Sequence, residues 1–202
     1  MNGRIKKVGG KYMDQNFNKE GTKTQLKDSF GKLVYSYTTH IKMCNILIKR
    51  NNFFKITSIV LSSLSTGGLL AVLSDWNAKL FGIISAILTT LMVILTTYLK
   101  SSCLDEKIYS HRHTANQLWI LREKYISLLT DFDDLANDII LERRDKYTAE
   151  LSEIYKSELP TNEKAYKLAQ EALKNNEEQY FSDSELNLLL PKHLRAYYKE
   201  KE

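Results

Sequence analysis

Two apolar runs dominate the chain, Ile56 to Leu73 and Leu80 to Leu99, and neither contains a charged residue. Each is about 20 residues long, and a helix rising about 1.5 Å per residue needs that many to cross a hydrocarbon core about 30 Å thick. Between them, Ser74-Asp75-Trp76-Asn77-Ala78-Lys79 packs two charges, an amide and an indole into a short connector. That composition suits a chain that surfaces in the headgroup zone and turns back, with Trp76 at the interface. The pattern predicts a transmembrane hairpin: a first span over 53–73, an external turn over 74–79 and a second span over 80–99. A buried hairpin in a soluble protein is the alternative. A chain of this size, however, offers little core in which to hide two helices that are apolar on every side.

The flanks show a different period. Leu26, Phe30, Leu33, Tyr37, Ile41, Cys44 and Ile48 recur at steps of three and four, which predicts a helix over 23–52 running into the first span. The only prolines are Pro160 and Pro191, so nothing but Asn51-Asn52 interrupts the stretch from Lys23 to Leu73,. After the second span, Leu104, Ile108, His111, Ala115, Leu118, Arg122, Tyr125, Leu129, Phe132, Ala136 and Ile139 alternate steps of four and three. This is coiled-coil spacing and predicts one helix over 100–155. So regular a seam calls for a partner, either the Leu26–Ile48 stripe or further copies; Leu118, Tyr125, Leu129 and Phe132 are the candidate oligomer seam. Over 156–202, Pro160-Thr161-Asn162 and the capping box Ser182-Asp183-Ser184-Glu185 each start a helix, and Pro191 stops the second,. This tail is expected to pack back on the stalk. Residues 1–22, rich in Gly, Asn and Lys, are expected to be a mobile basic tail. The fold expected is therefore an all-α membrane protein, with a two-helix transmembrane hairpin extended into a cytoplasmic helical stalk and a short C-terminal helical tail.

Charge orients this hairpin. Residues 1–50 hold eleven Lys/Arg against three Asp/Glu, whereas residues 100–202 hold sixteen against twenty, so the formal +5 is a basic arm plus an acidic tail,. Lys49, Arg50, Lys55, Lys100 and Lys107 flank the span ends, while the connector has Lys79 balanced by Asp75. The positive-inside bias then puts both termini in the cytoplasm. Met1 to Lys19 has cations but no apolar segment, so the first span is expected to be its own insertion signal,. Cys44 and Cys103 form no CxxC pair and fall on the side where thiols stay reduced, so no disulfide is expected,.

Chemistry is sparse. Ser58, Ser62, Ser65 and Thr66 share one side of the first span, and Gly82, Ser85, Ala86, Thr89, Val93 and Thr96 one side of the second. Such stripes either pack helices closely or line a wet path. The candidate pore-lining residues are Ser58, Ser62, Ser65, Thr66, Ser85, Thr89 and Thr96. Gly67-Gly68 loosens the first span or permits close packing. His111 and Arg122 do not suit a dry seam; with Arg112, His113 and Lys107 they form a candidate phosphate-binding or partner-binding site, or else they snorkel to Glu123 and Asp131. The basic leader, with Arg4, Lys6, Lys7 and Lys11, lacks the interleaved aromatics of a stacking platform, and no sequence-specific nucleic-acid binding is expected. His40 and Cys44 at i, i+4 make a weak metal pair, and no metal or cofactor is expected. There is no glycine-rich phosphate loop, GxSxG or HExxH, so no enzyme is expected.

The order of helix, close-set spans, then Tyr109-Ser110-His111-Arg112, Ala115-Asn116-Gln117-Leu118-Trp119-Ile120-Leu121-Arg122-Glu123-Lys124-Tyr125 and Leu128-Leu129-Thr130-Asp131-Phe132, with Phe181-Ser182-Asp183-Ser184-Glu185 in the tail, resembles the SLATT family. These are two-transmembrane effector domains associated with SMODS nucleotidyltransferases and SLOG sensors. Among its branches the chain looks most like the one found beside reverse transcriptases. The resemblance implies an oligomeric pore-forming or membrane-disrupting effector in the bacterial inner membrane. It also implies activation during phage infection by a partner reverse transcriptase, by a nucleotidyltransferase or by its nucleotide product, with growth arrest or death of the cell as the outcome. A membrane adaptor that tethers a cytosolic partner and conducts nothing is the alternative.

Overall fold

The computed structural model of the chain describes residues 18–73, 77–191, 193 and 195. Most of the basic tail expected over 1–22, and Ser74-Asp75-Trp76 of the external turn, lie outside the described residues. Those described form α1 (Lys19–Leu73), α2 (Ala78–Ser102), α3 (Leu104–Thr130), α4 (Asn137–Ser157), α5 (Glu163–Lys174) and α6 (Asp183–Leu189).

Helix α1 is the spine. Its start is fixed by Asn18, whose side-chain oxygen accepts from the backbone N–H of Gly21 at 2.8 Å and whose carbonyl accepts from that of Thr22,. It begins inside the segment expected to be mobile. From there it runs unbroken for 55 residues, about 80 Å at helical rise. Asn51 does not interrupt it, because its side chain is engaged elsewhere: Nδ2 donates to Asp105 at 2.7 Å.

The return path is jointed where one helix was expected. Cys103 sits at φ 48°, in the left-handed region, and both ends α2 and begins α3. A residue with a Cβ pays about 1 kcal/mol there. A second break follows at 131–136, where the Asp131 carbonyl accepts from Asp134 and Leu135 and the chain reverses into α4. Neither joint contains a proline or glycine. The reversal is instead held from outside: Lys23 pairs with Asp133 at 2.8 Å, and Lys19 donates to the Asp133 carbonyl at 3.1 Å.

The antiparallel register of α1 and α3 is explicit. Lys23 lies over Phe132, Phe30 under Arg122, Tyr37 against Trp119, and His40 opposite His111. Leu26 and Leu33 of α1 interlock with Leu118, Leu121, Tyr125 and Leu128 of α3, with Phe132 just beyond its end and with Ile140 and Ile154 of α4, all buried. The seam thus finds its partners within one chain, and Leu118, Tyr125 and Phe132 are core residues in this conformation, with no surface to offer another copy. Three expected seam positions are displaced by one residue: Leu121, Leu128 and Ile140 are buried, while Arg122 and Leu129 lie half-buried at the rim and Ile139, like the seam residue Ala136, is exposed. A stripe at 3.6 residues per turn drifts against a strict seven-residue repeat, so the repeat alone leaves that choice open.

Above this bundle the pattern inverts. Ile59, Leu64, Leu70, Ile83, Ile87 and Ile94 are exposed, and the buried positions are Ser65 and Ser85. The apolar windows have mean hydropathy 1.8 and 2.2, yet only 11% and 6% of them is buried by protein. Such surface has to be covered by lipid. The chain is an all-α membrane protein whose two-span hairpin continues into a helical bundle.

Candidate functional site

The hairpin packs by its small residues. Thr89 Oγ1 donates to the Ser85 carbonyl at 2.8 Å, which leaves it to accept from Ser65 Oγ at 2.6 Å. A Cβ on Gly68 would stand 2.1 Å from Ser85 Oγ, so glycine is what lets α2 approach α1 there. Ser58 and Ser62 are half-buried below this contact. Thr66 and Thr96 are exposed, and each returns its hydroxyl proton to its own helix, at the carbonyls of Ser62 and Met92. In one chain, therefore, Ser65, Ser85 and Thr89 pack two helices together, and the hydroxyls line no path.

At the edge of the spans Arg50 forms a clasp. It donates to the Tyr98 hydroxyl and lies over the rings of Phe54 and Tyr98, while Lys55 pairs with Asp105 at 3.5 Å. The apolar stems thus reach the hydrocarbon and the charges leave it.

The bundle's one concentration of buried titratable groups among the described residues lies further along α1. His40 Nδ1 is 2.9 Å from His111 Nδ1, and His40 Nε2 is 3.1 Å from Glu158 Oε2. Both imidazoles are almost fully buried. Burial lowers the His40 pKa and, with the neighbouring His40, that of His111; burial raises that of Glu158,. With both rings neutral, His111 Nδ1–H donates to His40 Nδ1, and His40 Nε2–H donates to the carboxylate. A single added proton fits on His40 when His111 carries its own proton on Nε2, so that His40 donates from both nitrogens and His111 Nδ1 accepts. A second does not, because two N–H groups would face each other. The chain of bonds ties α1, α3 and the end of α4 at one level, thirteen residues before Phe53, or about 20 Å along the helix.

The expected ligand residues do not converge. His111 is buried against His40, and Arg112 is exposed. Arg122 lies 4.6 Å from the Trp119 ring centre and 5.9 Å from that of Phe30, with Glu123 as its ion partner. It sits eleven residues from His111, about 16 Å along α3. His113 stacks on Tyr109. Among the described residues, His111, Arg112, His113 and Arg122 form no cluster that would take a phosphate. Cys44 donates to the Ile108 carbonyl at 3.5 Å instead of sharing a ligand with His40, and both cysteines are free thiols. The misfit of His111 on an apolar seam was a legible signal, but nothing local marks Glu158, which is brought in from the far end of α4.

Beside the histidines is an open cleft of about 660 Å3, with Gly31, Tyr35 and His40 on α1, Tyr155 and Glu158 at the end of α4, and Tyr166 on α5. Tyr166 stacks on Tyr35 with ring centres 6.1 Å apart. Ala165, Ala169 and Ala172 are buried and bring α5 close against α1.

A lipid-solvated hairpin whose first helix runs without interruption into a folded bundle defines a two-span membrane protein with an extramembrane helical body. The sequence model of the SMODS and SLOG-associating 2TM effector domain family 4 matches residues 22–185, and the chain belongs to that family. No curated protein and no solved structure matches it.

Proposed function

We propose that this chain is a membrane effector of a bacterial anti-phage system. Copies of the hairpin assemble in the inner membrane and breach it, and the cell stops growing or dies. Both termini then face the cytoplasm, in keeping with the cations at the span ends,. The observation that carries this reading is the bareness of the spans: so little of either apolar window is covered within one chain that each span has most of its circumference free for lipid or for other copies. Two helices cannot enclose a path, so conduction requires assembly. In the assembled state Ser58, Ser62, Ser65, Thr66, Ser85, Thr89 and Thr96 turn to water, among them Ser85 Oγ, which is buried without a hydrogen-bond partner in one chain. The chain acts without catalysis. The trigger is a partner reverse transcriptase, a nucleotidyltransferase or its nucleotide product, and it works only through a difference in affinity for the closed and assembled states.

The hydrogen bond of Ser65 to Thr89 across the hairpin favours a second reading, in which the hairpin never opens and the chain is a non-conducting adaptor for a cytosolic partner. Expression in bacteria with a potential-sensitive dye separates them. Toxicity with depolarisation, blunted in Ser62→Leu and Thr89→Leu at equal membrane levels, supports the effector; normal potential with partner recruitment supports the adaptor.

A further inference from the structure

The cleft beside His40 has a shape and a charge that the fold itself does not require. Asp28 and His40, which mark its ends on α1, are twelve residues apart, so it is a trough about 18 Å long. Gly31 lines it as an exposed residue, where an added Cβ would meet nothing within 4 Å. Packing therefore does not demand glycine at that position, and mid-helix glycine costs about 1 kcal/mol relative to alanine. What glycine does there is bare the helix backbone inside the trough.

Charge sets the class of occupant. Lys32 is paired with Asp28 at 2.6 Å, and His40 is held neutral by burial. The unmatched charge is Glu158, half-buried and turned to His40. Among the described residues that line the trough, an anion would meet the Glu158 carboxylate and a lysine, Lys32, that is already paired with Asp28. Tyrosine faces, by contrast, attract ammonium groups and pack well on aliphatic stems.

We propose that this trough binds an organic cation, an ammonium group on a slim aliphatic stem, with the stem over Gly31 and against Tyr35 and Tyr166 and the ammonium on Glu158. This deepens the effector reading and rests on it, because it names the chemistry that would bias the closed state. A cation on Glu158 competes with His40 for the carboxylate and loosens the end of α4 from α1. Since α1 runs from the trough into the membrane without a break, a change there is delivered to the span. Such an ammonium comes either from a free polyamine or from a lysine side chain of another protein.

The test is calorimetric titration of the full chain, reconstituted in phosphatidylcholine nanodiscs, with spermidine, with N-acetyl-lysine methylamide and with inorganic phosphate. Saturable binding of a cationic probe and none of phosphate is expected, and the tighter of the two cations identifies the source. Gly31→Leu fills the trough without touching the fold and abolishes binding while the melting temperature holds or rises. Glu158→Gln weakens binding about tenfold, and Tyr166→Ala about threefold. No binding of either cation, binding that survives Gly31→Leu, or binding of phosphate in their place overturns the proposal. A chain that binds a cation but never depolarises cells keeps this site and loses the effector reading instead.

Discussion

The hairpin and the bundle share one helix, yet they fold by opposite rules. Below Asn51, α1 buries Leu26, Leu33 and Leu47 and shows charge to solvent; above it, the same helix buries Ser65 and exposes Ile59, Leu64 and Leu70. In water, apolar burial drives association, at about 25 cal/mol per Å2. In lipid that drive is gone, because the tails are as apolar as leucine, and what remains is close packing and hydrogen bonding. Hence the bundle is held by large side chains and the hairpin by the smallest ones. The bundle should accordingly be the stable, committed half and the hairpin the half able to exchange partners.

That contrast can be broken at several points. The largest effect is expected in the bundle core: Leu118→Ala or Tyr125→Ala should cost about 3–5 kcal/mol, read by denaturant unfolding in detergent. Ile87→Ala, on the lipid face, should change stability by less than about 1 kcal/mol. Comparable losses at the two sites would show that the halves are not differently held. Next, Gly68→Ala should drive the spans apart at about 1–3 kcal/mol, and Ser85→Ala in the same chain should restore them, because the clash is with Ser85 Oγ alone. Failure of the rescue would remove that contact as the hairpin's fixing point.

Acid should then act on one half only. His40 and His111 have pKa values lowered in the fold, so below the ordinary histidine value of about 6.5 the unfolded chain binds more protons and the bundle loses stability as pH falls. Glu158, raised by burial, works in the other direction: its contribution is full below about pH 4.5 and is lost as pH rises through its folded value. Melting curves between pH 7 and 5 should therefore show a falling transition for the bundle, largely removed in a His40→Gln, His111→Gln chain. The apolar runs Ile56–Leu73 and Leu80–Leu99, which carry no acid, histidine or lysine, should keep their helical signal. The smallest effect is expected from Ser65→Ala, about 0.6 kcal/mol for an interhelical hydrogen bond in lipid, measured by unfolding in mixed micelles.

Much of this was legible in the chain. The spans, the close connector and the capping box at Ser182 follow from composition and spacing, and the box forms as expected, with Ser182 and Glu185 exchanging bonds. The joints at Cys103 and at 131–136 were not legible, because neither holds a residue that favours a bend. They exist because Asp105 and Asp133 have partners on α1, which sequence neighbours do not reveal. The site divided in the same way. His111 stood out as a polar residue on an apolar seam, while His40 drew notice only beside Cys44, and Glu158, 118 residues away from it, not at all.

By itself the sequence determined which segments lie in lipid and which helical faces are apolar, since both depend on the local order of side chains along one helix. Only the tertiary structure decided that the long seam closes on its own chain, that Ser65 and Thr89 of the hydroxyl stripes meet across the hairpin, and that two histidines and a glutamate share protons beside a tyrosine-walled trough. Those are meetings of residues distant in sequence, and their geometry is set by how whole helices pack.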